Sequence, residues 1–367
     1  MKHKFIVSGG GTGGHIFPAK SIANALKHRF PDADILFVGA EGRMEMERVP
    51  SAGYPIEGLP VSGFDRKNML RNVKVLFNLM KSIMKARSII KKFRPEVVIG
   101  VGGYASAPTP RAASAYNIPT LIQEQNSYAG VTNKLLSKKA SKICVAYDNM
   151  EKFFPASKII KTGNPVRQDL LKIQNKAKEA YQFFGFDPTK KTLLIVGGSL
   201  GARTINQSVT AQLKQLTEAN IQVIWQTGKY YFESALQSAD SFKSPSLLVT
   251  DFVSRMDYAY SIADLVISRA GASSISELCL LSKPTILVPS PNVADDHQTQ
   301  NALALVRKEA ALMIKDREAI NLLIPEAIRL INNDVELLKL TENIFKLAEK
   351  DSAERIADEV VKLIKNK

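Results

Sequence analysis

Cysteine and histidine are scarce in this sequence, and each scarcity excludes a class of protein. The 367 residues include two cysteines, Cys144 and Cys279, and four histidines. Two cysteines that are far apart and have apolar neighbours do not form a disulfide framework, so we expect a reducing, cytoplasmic setting. No two histidines have the spacing of zinc ligands, so we expect no metal site.

Long apolar runs are also lacking. The first run, at residues 5–7, is too short for the core of a signal peptide. No stretch approaches the roughly 20 residues that a membrane-spanning helix needs. With 45% hydrophobic and 23% charged residues, the composition is typical of a globular protein, and the length predicts two domains.

Positive charge is in clear excess, because the formal net charge is +15. Such an excess indicates an anionic partner, which could be a nucleic acid, an anionic lipid or a polyphosphate substrate. Only 7% of the residues are aromatic, whereas a nucleic-acid surface interleaves basic residues with aromatic ones. We therefore expect no nucleic-acid partner.

The charge is concentrated in one segment. Residues 64–94 hold ten basic residues and one acidic residue, Asp65, and so supply nine of the fifteen net charges. At 100° per residue, one arc of a helix carries Lys67, Arg71, Lys74, Lys81, Lys85 and Lys92. Another, broader arc carries Leu70, Val73, Leu76, Phe77, Met80, Ile83 and Met84. A basic amphipathic helix predicts docking on an anionic membrane surface, and the alternative is a solvated face whose apolar arc packs on a sheet.

Strands and helices alternate in two series along the chain. The expected strands lie at residues 4–8, 35–38, 96–101, 119–122 and 142–145, and again at 192–196, 222–226, 247–250, 264–268 and 285–288. Such alternation predicts an α/β fold of two doubly wound, Rossmann-like domains that face each other across a cleft. We expect one domain at residues 1–163 with a final helix within 350–367, and the other at 164–349. Ligands in such folds bind at the carboxyl ends of the strands.

A glycine-rich loop, GGGTGGH, follows the first strand at residues 9–15. Glycines let the backbone approach a ligand closely, and the helix that follows offers its N-terminus to a phosphate. The loop also fits the dinucleotide fingerprint, so a nicotinamide cofactor and a turn without a ligand stay open as alternatives. His15 ends the loop, where it is suited to acid–base catalysis near neutral pH, unless it is structural.

Two further loops of small residues each precede a helix. GGSLGAR at residues 197–203 repeats the first arrangement and adds the hydroxyl of Ser199. SRAGASSISE at 268–277 places Glu277 one turn into a helix, where its carboxylate could accept two ribose hydroxyls. The alternative is that the serines cap the helix and Glu277 is a solvated acid of its first turn.

Polar residues cluster at two other places. QEQN at residues 123–126 follows an expected strand, and DDHQTQN at 295–301 precedes an expected helix. Both could bind sugar hydroxyls, and for the first a loop without a ligand is an equal alternative. Asp295 and Asp296 stand at a probable helix start, where acids are common, so we do not expect them to bind a metal.

Taken together, these motifs resemble the MurG family, the UDP-N-acetylglucosamine transferases of bacterial cell-wall synthesis. The matching motifs are GGGTGGH at 9–15, GVGGYASAP at 100–108, EQN at 124–126, GNPVR at 163–167, GGSLGAR at 197–203, SRAGASSISE at 268–277 and DHQTQNA at 296–302. The resemblance implies a GT-B fold, with the acceptor in the first domain, the UDP-sugar mainly in the second, and a last helix that returns to the first domain.

The resemblance also implies a set of substrate-binding residues. Those that would line the donor site are Thr12, Gly13, Gly14, Asn126, Arg167, Ser199, Val253, Glu277 and Gln298. The others are Ala272, Ser273, Ser274 and Asn301. Of the donor-site residues, Glu277 would hold the ribose, Gln298 the sugar hydroxyls, and Val253 would lie beside the uracil. The sequence departs from the family at Gln123, where many members have histidine, and at Ser273–Ser274, where some have Leu-Thr.

The activity implied is transfer of N-acetylglucosamine to undecaprenyl-pyrophosphoryl-N-acetylmuramoyl-pentapeptide, with inversion and without a cofactor or metal. His15 is the expected general base, and Arg167 with two helix N-termini would stabilise the leaving diphosphate. The enzyme would be peripheral, at the cytoplasmic face of the cell membrane, where contacts with other cell-wall enzymes are also expected. A UDP-sugar epimerase of the same fold and a related glycolipid synthase are the alternatives.

Overall fold

The computed structural model describes residues 2–11, 13–61, 69–166, 170, 174–198, 200–242, 244–293 and 296–365, with the backbone alone at 69–74. The chain forms two compact units. Unit 1 comprises Met1–Val166 and Glu349–Lys367, and unit 2 comprises Arg167–Ala348.

Unit 1 contains a seven-stranded parallel sheet in the order β3-β2-β1-β4-β5-β6-β7. Its strands are β1 (Lys4–Ser8), β2 (Asp34–Ala40), β3 (Ile56–Leu59), β4 (Val97–Gly100), β5 (Thr120–Glu124), β6 (Lys142–Val145) and β7 (Ile159–Lys161). Its α-helices are α1 (Gly13–Arg29), α2 (Glu45–Arg48), α3 (Met69–Phe93), α4 (Pro108–Ala115) and α5 (Val131–Ser137), joined near the end of the chain by α15 (Ser352–Lys365).

Both faces of this sheet are covered, as the continuous burial of β4 and β5 requires. One face carries α1 and α15 over a core that includes Phe5 and Val7. The opposite face carries α3 and α4 over Ile6 and Val98, and a neighbouring cluster packs around Ile122. Because side chains alternate along each strand, β1 supplies Phe5 to one core and Ile6 to the other.

Helix α15 belongs to unit 1 although it lies at the other end of the chain. Its buried residues Ile356, Ala357 and Val360 join the core under α1. At the solvent side, Arg29 of α1 forms an ion pair with Asp358. The final helix expected within residues 350–367 is therefore present at Ser352–Lys365, and it completes one face of the first sheet.

Unit 2 contains a six-stranded parallel sheet in the order β10-β9-β8-β11-β12-β13. Its strands are β8 (Thr192–Val196), β9 (Gln222–Gln226), β10 (Leu247–Thr250), β11 (Leu265–Ser268), β12 (Thr285–Leu287) and β13 (Leu312–Met313). Its helices are α6 (Lys178–Phe184), α7 (Arg203–Ala211), α8 (Leu213–Glu218), α9 (Phe232–Asp240), α10 (Met256–Ile262), α11 (Ala272–Leu280), α12 (His297–Val306), α13 (Ala319–Ile331) and α14 (Asp334–Phe345).

Both sheets reverse their strand order beside the first strand, between β1 and β4 and between β8 and β11. This reversal is the switch point at which doubly wound folds bind their ligands. The loops that follow β1 and β8 are the two glycine-rich loops of the sequence. The expected α/β class of two Rossmann-like units is thus confirmed.

Candidate functional site

The first glycine-rich loop is stabilised by a buried carboxylate of the protein itself. Glu45, at the start of α2, is 1% exposed, and its carboxylate accepts hydrogen bonds from the N–H groups of Gly11 at 3.0 Å and Ala40 at 3.0 Å. A Cβ at position 10 would overlap this carboxylate, so the close approach requires glycine there. The Gly11 N–H is thus already bonded to a side chain of the protein itself.

His15 lies in the first turn of α1, beside the carboxyl edge of the unit 1 sheet. Its Nδ1 is 3.1 Å from Oε1 of Gln125. Cβ atoms at positions 102 and 103 would lie 3.1 Å from ring atoms of His15. Gly102 and Gly103, from the GVGGY motif, therefore leave the space in which the imidazole sits.

The polar residues that end β5 are mostly buried. Gln123, Glu124 and Gln125 are at most 2% exposed, and their side chains bond other parts of unit 1. The Glu124 carboxylate accepts from the Gly130 N–H at 3.0 Å and from Asn133 Nδ2 at 2.9 Å. These three residues are thus scaffold, whereas Asn126, the fourth of the group, is partly exposed.

The unit 2 sheet has a cavity of about 680 Å³ at its carboxyl edge. Its walls come from the loops after β8, β11 and β12, together with the start of α12. The lining residues are Gly197, Gly198, Gly201, Ala202, Arg203, Thr204, Gln207, Tyr231, Ser268, Arg269, Gly271, Ser274, Ser290, Pro291, Asn292, Gln298 and Asp316. A nucleotide sugar fits a cavity of this size.

Three helices begin around this cavity: α7 at Arg203, α11 at Ala272 and α12 at His297. Each N-terminus carries a partial positive charge and N–H groups without intrahelical partners, which suits a diphosphate. The cavity wall also includes Arg269, whose guanidinium pairs with Asp316 and donates to the Val288 carbonyl at 3.1 Å. Arg269 therefore serves to tie the loop after β11 to the rest of the wall.

The expected donor-site residues of unit 2 differ in whether they line the cavity. Ser274 and Gln298 line the cavity, and Gln298 Oε1 accepts from the Ser290 N–H at 2.9 Å. Glu277 is partly buried and accepts from the Tyr260 hydroxyl at 3.3 Å. Asn301 is fully buried and bonds the Ala270 carbonyl at 3.3 Å, which places it beneath the cavity wall.

The remaining expected residues are near these or lie outside the described residues. Val253 and Ala272 are buried, the Ser273 hydroxyl oxygen is buried without a hydrogen bond, and Gly13 and Gly14 begin α1. Thr12, Arg167, Ser199, Asp295 and Lys67, as well as the side chains of Arg71 and Lys74, lie outside the described residues.

Helix α3 exposes apolar side chains. Leu76, Phe77, Met80 and Met84 are each 57–64% exposed. Between residues 75 and 93 of α3, the buried residues are instead Val75, Ser82, Ala86 and Ile90. The alternative in which the apolar arc packs on a sheet is therefore wrong for these four residues, because smaller side chains further round the helix fill that place.

Two of the three described lysines of the α3 basic arc, Lys81 and Lys85, accompany this apolar surface. Lys81 Nζ lies 4.6 Å from the centre of the Phe77 ring. Lys85 forms an ion pair with Glu41 at 2.9 Å. Across the described part of the chain, no helix is long and apolar enough to cross a membrane.

The thiols are unsuited to catalysis. Cys144 and Cys279 are buried and free, and burial raises the pKa of each to about 12. Neither thiol is ionised near neutral pH, so neither supplies a nucleophile. In the described ranges, no group of three or more His, Cys, Asp or Glu side chains is arranged to hold a metal ion.

Comparison with known proteins gives full-length matches. The N-terminal domain of glycosyltransferase family 28 matches residues 5–145, and the C-terminal domain of that family matches residues 192–356. A Parabacteroides distasonis protein is 62% identical over 366 residues, covering 100% of both chains. One from Porphyromonas gingivalis is 57% identical, covering 100% of this chain and 97% of its own.

Both relatives are named UDP-N-acetylglucosamine–N-acetylmuramyl-(pentapeptide) pyrophosphoryl-undecaprenol N-acetylglucosamine transferase. Among solved structures, Acinetobacter baumannii MurG superposes with a TM-score of 0.78 at 29% identity, covering 99% of this chain and 100% of its own. The kitacinnamycin glycosyltransferase, at 13% identity and a TM-score of 0.73, shares the fold.

Proposed function

The chain belongs to the MurG family, within glycosyltransferase family 28, and we propose that it transfers N-acetylglucosamine from UDP-N-acetylglucosamine to undecaprenyl-pyrophosphoryl-N-acetylmuramoyl-pentapeptide. The observation that carries this proposal is the full-length identity of 62% to a relative named for that reaction. The cavity in unit 2 and the His15 site in unit 1 supply chemistry that suits the two substrates.

The donor is assigned to the cavity of unit 2. Its diphosphate would lie at the N-termini of α7 and α11, where N–H groups and partial positive charge are available. Glu277 would accept hydrogen bonds from the ribose hydroxyls, and Gln298, which lines the cavity, would bind the sugar. Val253 would lie beside the uracil, with Ser274 near the phosphates.

The acceptor is assigned to the carboxyl edge of the unit 1 sheet, beside His15. A hydroxyl of the acceptor sugar attacks the anomeric carbon of N-acetylglucosamine while the bond to UDP breaks. His15 takes the hydroxyl proton as general base. A single displacement of this kind inverts the anomeric centre, through a transition state with oxocarbenium character.

The leaving diphosphate gains negative charge as UDP departs. We assign its stabilisation to helix N-termini and to Arg167 rather than to a metal ion.

Asp296 stands at the start of α12, and its carboxylate accepts from the Thr299 hydroxyl at 2.7 Å. That contact gives Asp296 a structural role at the helix start.

The acceptor is a lipid, and α3 offers a surface that suits a bilayer. Its exposed Leu76, Phe77, Met80 and Met84 can enter the headgroup region, while Lys81 and neighbouring basic residues attract anionic lipid. We propose a peripheral enzyme at the cytoplasmic face of the cell membrane. Contacts with other cell-wall enzymes are part of the same proposal.

The test is a transfer assay with radiolabelled UDP-N-acetylglucosamine and the undecaprenyl-linked acceptor, run with and without EDTA. Label in the lipid phase under both conditions is expected. Absence of label from the lipid, with acceptor present and the protein folded, would reject the transferase proposal. Transfer that EDTA abolishes and magnesium restores would reject only its metal-free part.

A further inference from the structure

The side-chain amide of Gln125 can take only one orientation. Gln125 is 2% exposed, and its Nε2 lies 2.8 Å from the Val101 carbonyl oxygen. A carbonyl oxygen accepts hydrogen bonds and cannot donate them, so the NH₂ end of the amide must face Val101. The other end, Oε1, then faces His15.

Two further amides lock this orientation. Gln125 Nε2 also donates to Gln123 Oε1, which turns Gln123 Nε2 toward Asn164 Oδ1 at 3.0 Å. Asn164 Nδ2 in turn donates to the main-chain carbonyl of Gln125 at 3.0 Å. The chain of amides thus begins and ends at main-chain carbonyl oxygens, and reversing any member would set two acceptors or two donors face to face.

The protonation of the His15 ring follows from this chain. Oε1 of Gln125 can only accept, and it lies 3.1 Å from His15 Nδ1. Nδ1 must therefore carry a proton, which leaves the lone pair of the neutral ring on Nε2. The flanking Gly102 and Gly103 leave the ring its space.

We infer that Gln125 is a positioning residue that fixes His15 in the Nδ1–H tautomer, so that Nε2 is the basic nitrogen. In so far as it concerns catalysis, the inference rests on the proposed role of His15 as general base. Gln123 also has a positioning role, because its Oε1 accepts from the amide of Gln125 and so holds that amide in place. A glutamine has no titratable proton, so this contact does not change with pH.

The tautomer can be measured directly by ¹⁵N NMR of the full-length protein labelled at its histidines. The His15 signals are assigned by their loss in His15→Ala. At a pH where the ring is neutral, we expect a protonated Nδ1 and an unprotonated Nε2, the tautomer that free histidine populates less. A protonated Nε2, or a rapidly exchanging mixture, would overturn the inference without any reference to activity.

Two variants separate positioning from mere packing. Gln125→Met removes the acceptor, so the tautomer is expected to become mixed. Because kcat scales with the fraction of rings whose Nε2 is unprotonated, it should fall several-fold, with little change in KM. Gln125→Glu keeps an acceptor oxygen for Nδ1, so the Nδ1–H signal should persist and the acidic limb of the pH–rate profile should move to higher pH. Both variants lose the bond to Val101, and the glutamate also sets an acceptor against that carbonyl. A purely structural role would therefore leave the tautomer no better defined in Gln125→Glu than in Gln125→Met.

The matched control is Gln222→Met in unit 2. Gln222 is also 2% exposed, and its amide donates to the Asp187 carbonyl at 3.0 Å. This variant should lose stability but keep the His15 tautomer. An unchanged tautomer in Gln125→Met would contradict the inference, whereas full activity of His15→Ala would reject the base and leave the tautomer measurement standing.

Discussion

At the scale of single residues, the surroundings of His15 fix both the position of its imidazole ring and the hydrogen-bond partner of Nδ1. Two glycines leave room for the ring and the Gln125 amide contacts Nδ1. These contacts come from the loop after β4 and from the residue that follows β5, so the ring is positioned at the carboxyl edge of the sheet. A catalytic role for His15 should therefore be separable from a role in folding.

Replacement of His15 by alanine is expected to lower kcat by roughly 10²–10⁴-fold, the usual contribution of a positioned base. The melting temperature should change little, because the side chain is partly exposed. The matched control is His28→Ala, an exposed position on the same helix, which should leave both quantities unchanged. Near-normal turnover in His15→Ala would rule out the base.

Glu277 should matter for the uridine nucleotide. Its removal in Glu277→Ala is expected to weaken UDP binding by about 1.5–3 kcal/mol, the scale of hydrogen bonds to a charged group. Isothermal titration calorimetry with UDP measures this loss. Glu218→Ala serves as the control, because Glu218 is exposed on α8 of the same unit; equal affinities of the two variants would argue against a ribose contact.

At the scale of elements, α2 stabilises the first glycine loop through Glu45. In Glu45→Gln one acceptor oxygen becomes an NH₂ group. Because both carboxylate oxygens lie within 3.1 Å of the Gly11 nitrogen, this NH₂ group faces the Gly11 N–H as a second donor in either orientation of the amide. We expect a loss of about 1–3 kcal/mol in the free energy of unfolding, and slower turnover because the start of α1 loses its support. Denaturant titration and steady-state kinetics measure the two effects.

The control for this prediction is Glu47→Gln, which makes the same chemical change at an exposed position of α2. Stability should then match the wild type. If the two variants were equally stable, the hydrogen bonds from Gly11 and Ala40 would not support the loop as described.

Helix α3 should bind bilayers through apolar insertion as well as charge. A variant with Phe77, Met80 and Met84 changed to serine is expected to sediment less with vesicles that contain anionic lipid. Lys81→Glu should weaken binding mainly at low salt, since each basic residue near such a surface contributes about 1 kcal/mol. Both effects are read from co-sedimentation across a salt series.

Exposed apolar residues on another helix provide the control for the α3 serine variant. Val335 and Leu338 on α14 of unit 2 are 81% and 60% exposed, so changing both to serine removes exposed apolar side chains from another surface. Vesicle binding should be retained. Binding by the α3 serine variant at the wild-type level would show that α3 is not the anchor.

At the scale of the whole molecule, the sequence was sufficient for the architecture. The two series of strands, the two glycine loops and the last helix were all predicted by short β-rich runs that alternate with helical periods. The strands that escaped prediction are β3, β7 and β13, which lie at sheet edges and have two to four residues. Runs so short carry little periodic signal.

The parts of the site that carry glycine motifs could be predicted from the sequence. The parts that depend on hydrogen bonds from residues distant in the sequence could not. Glu45 lies in the stretch EMER, which has the composition of an exposed helix. Its hydrogen bond to the Gly11 N–H arises only from the way the chain folds, so no local pattern predicts it. The roles of Gln123 and Gln125 depend on Asn164, some 40 residues away, which no local pattern reveals. On α3, periodicity identified the apolar residues, but burial of the smaller Ser82 and Ala86 decided which face points outward.

Because α15 completes unit 1, the order of synthesis leaves that unit unfinished for much of translation. The ribosome makes residues 1–166 first, and must then make all of unit 2 before Ser352 appears. Translation adds about 5–20 residues per second, so the apolar side of α1 around Ile22 stays without its packing partner α15 for roughly 10–40 s. Unit 2 is continuous in the chain and can fold within that interval, so the N-terminal unit is the later of the two to reach its native core and the one that nascent-chain chaperones would need to shield.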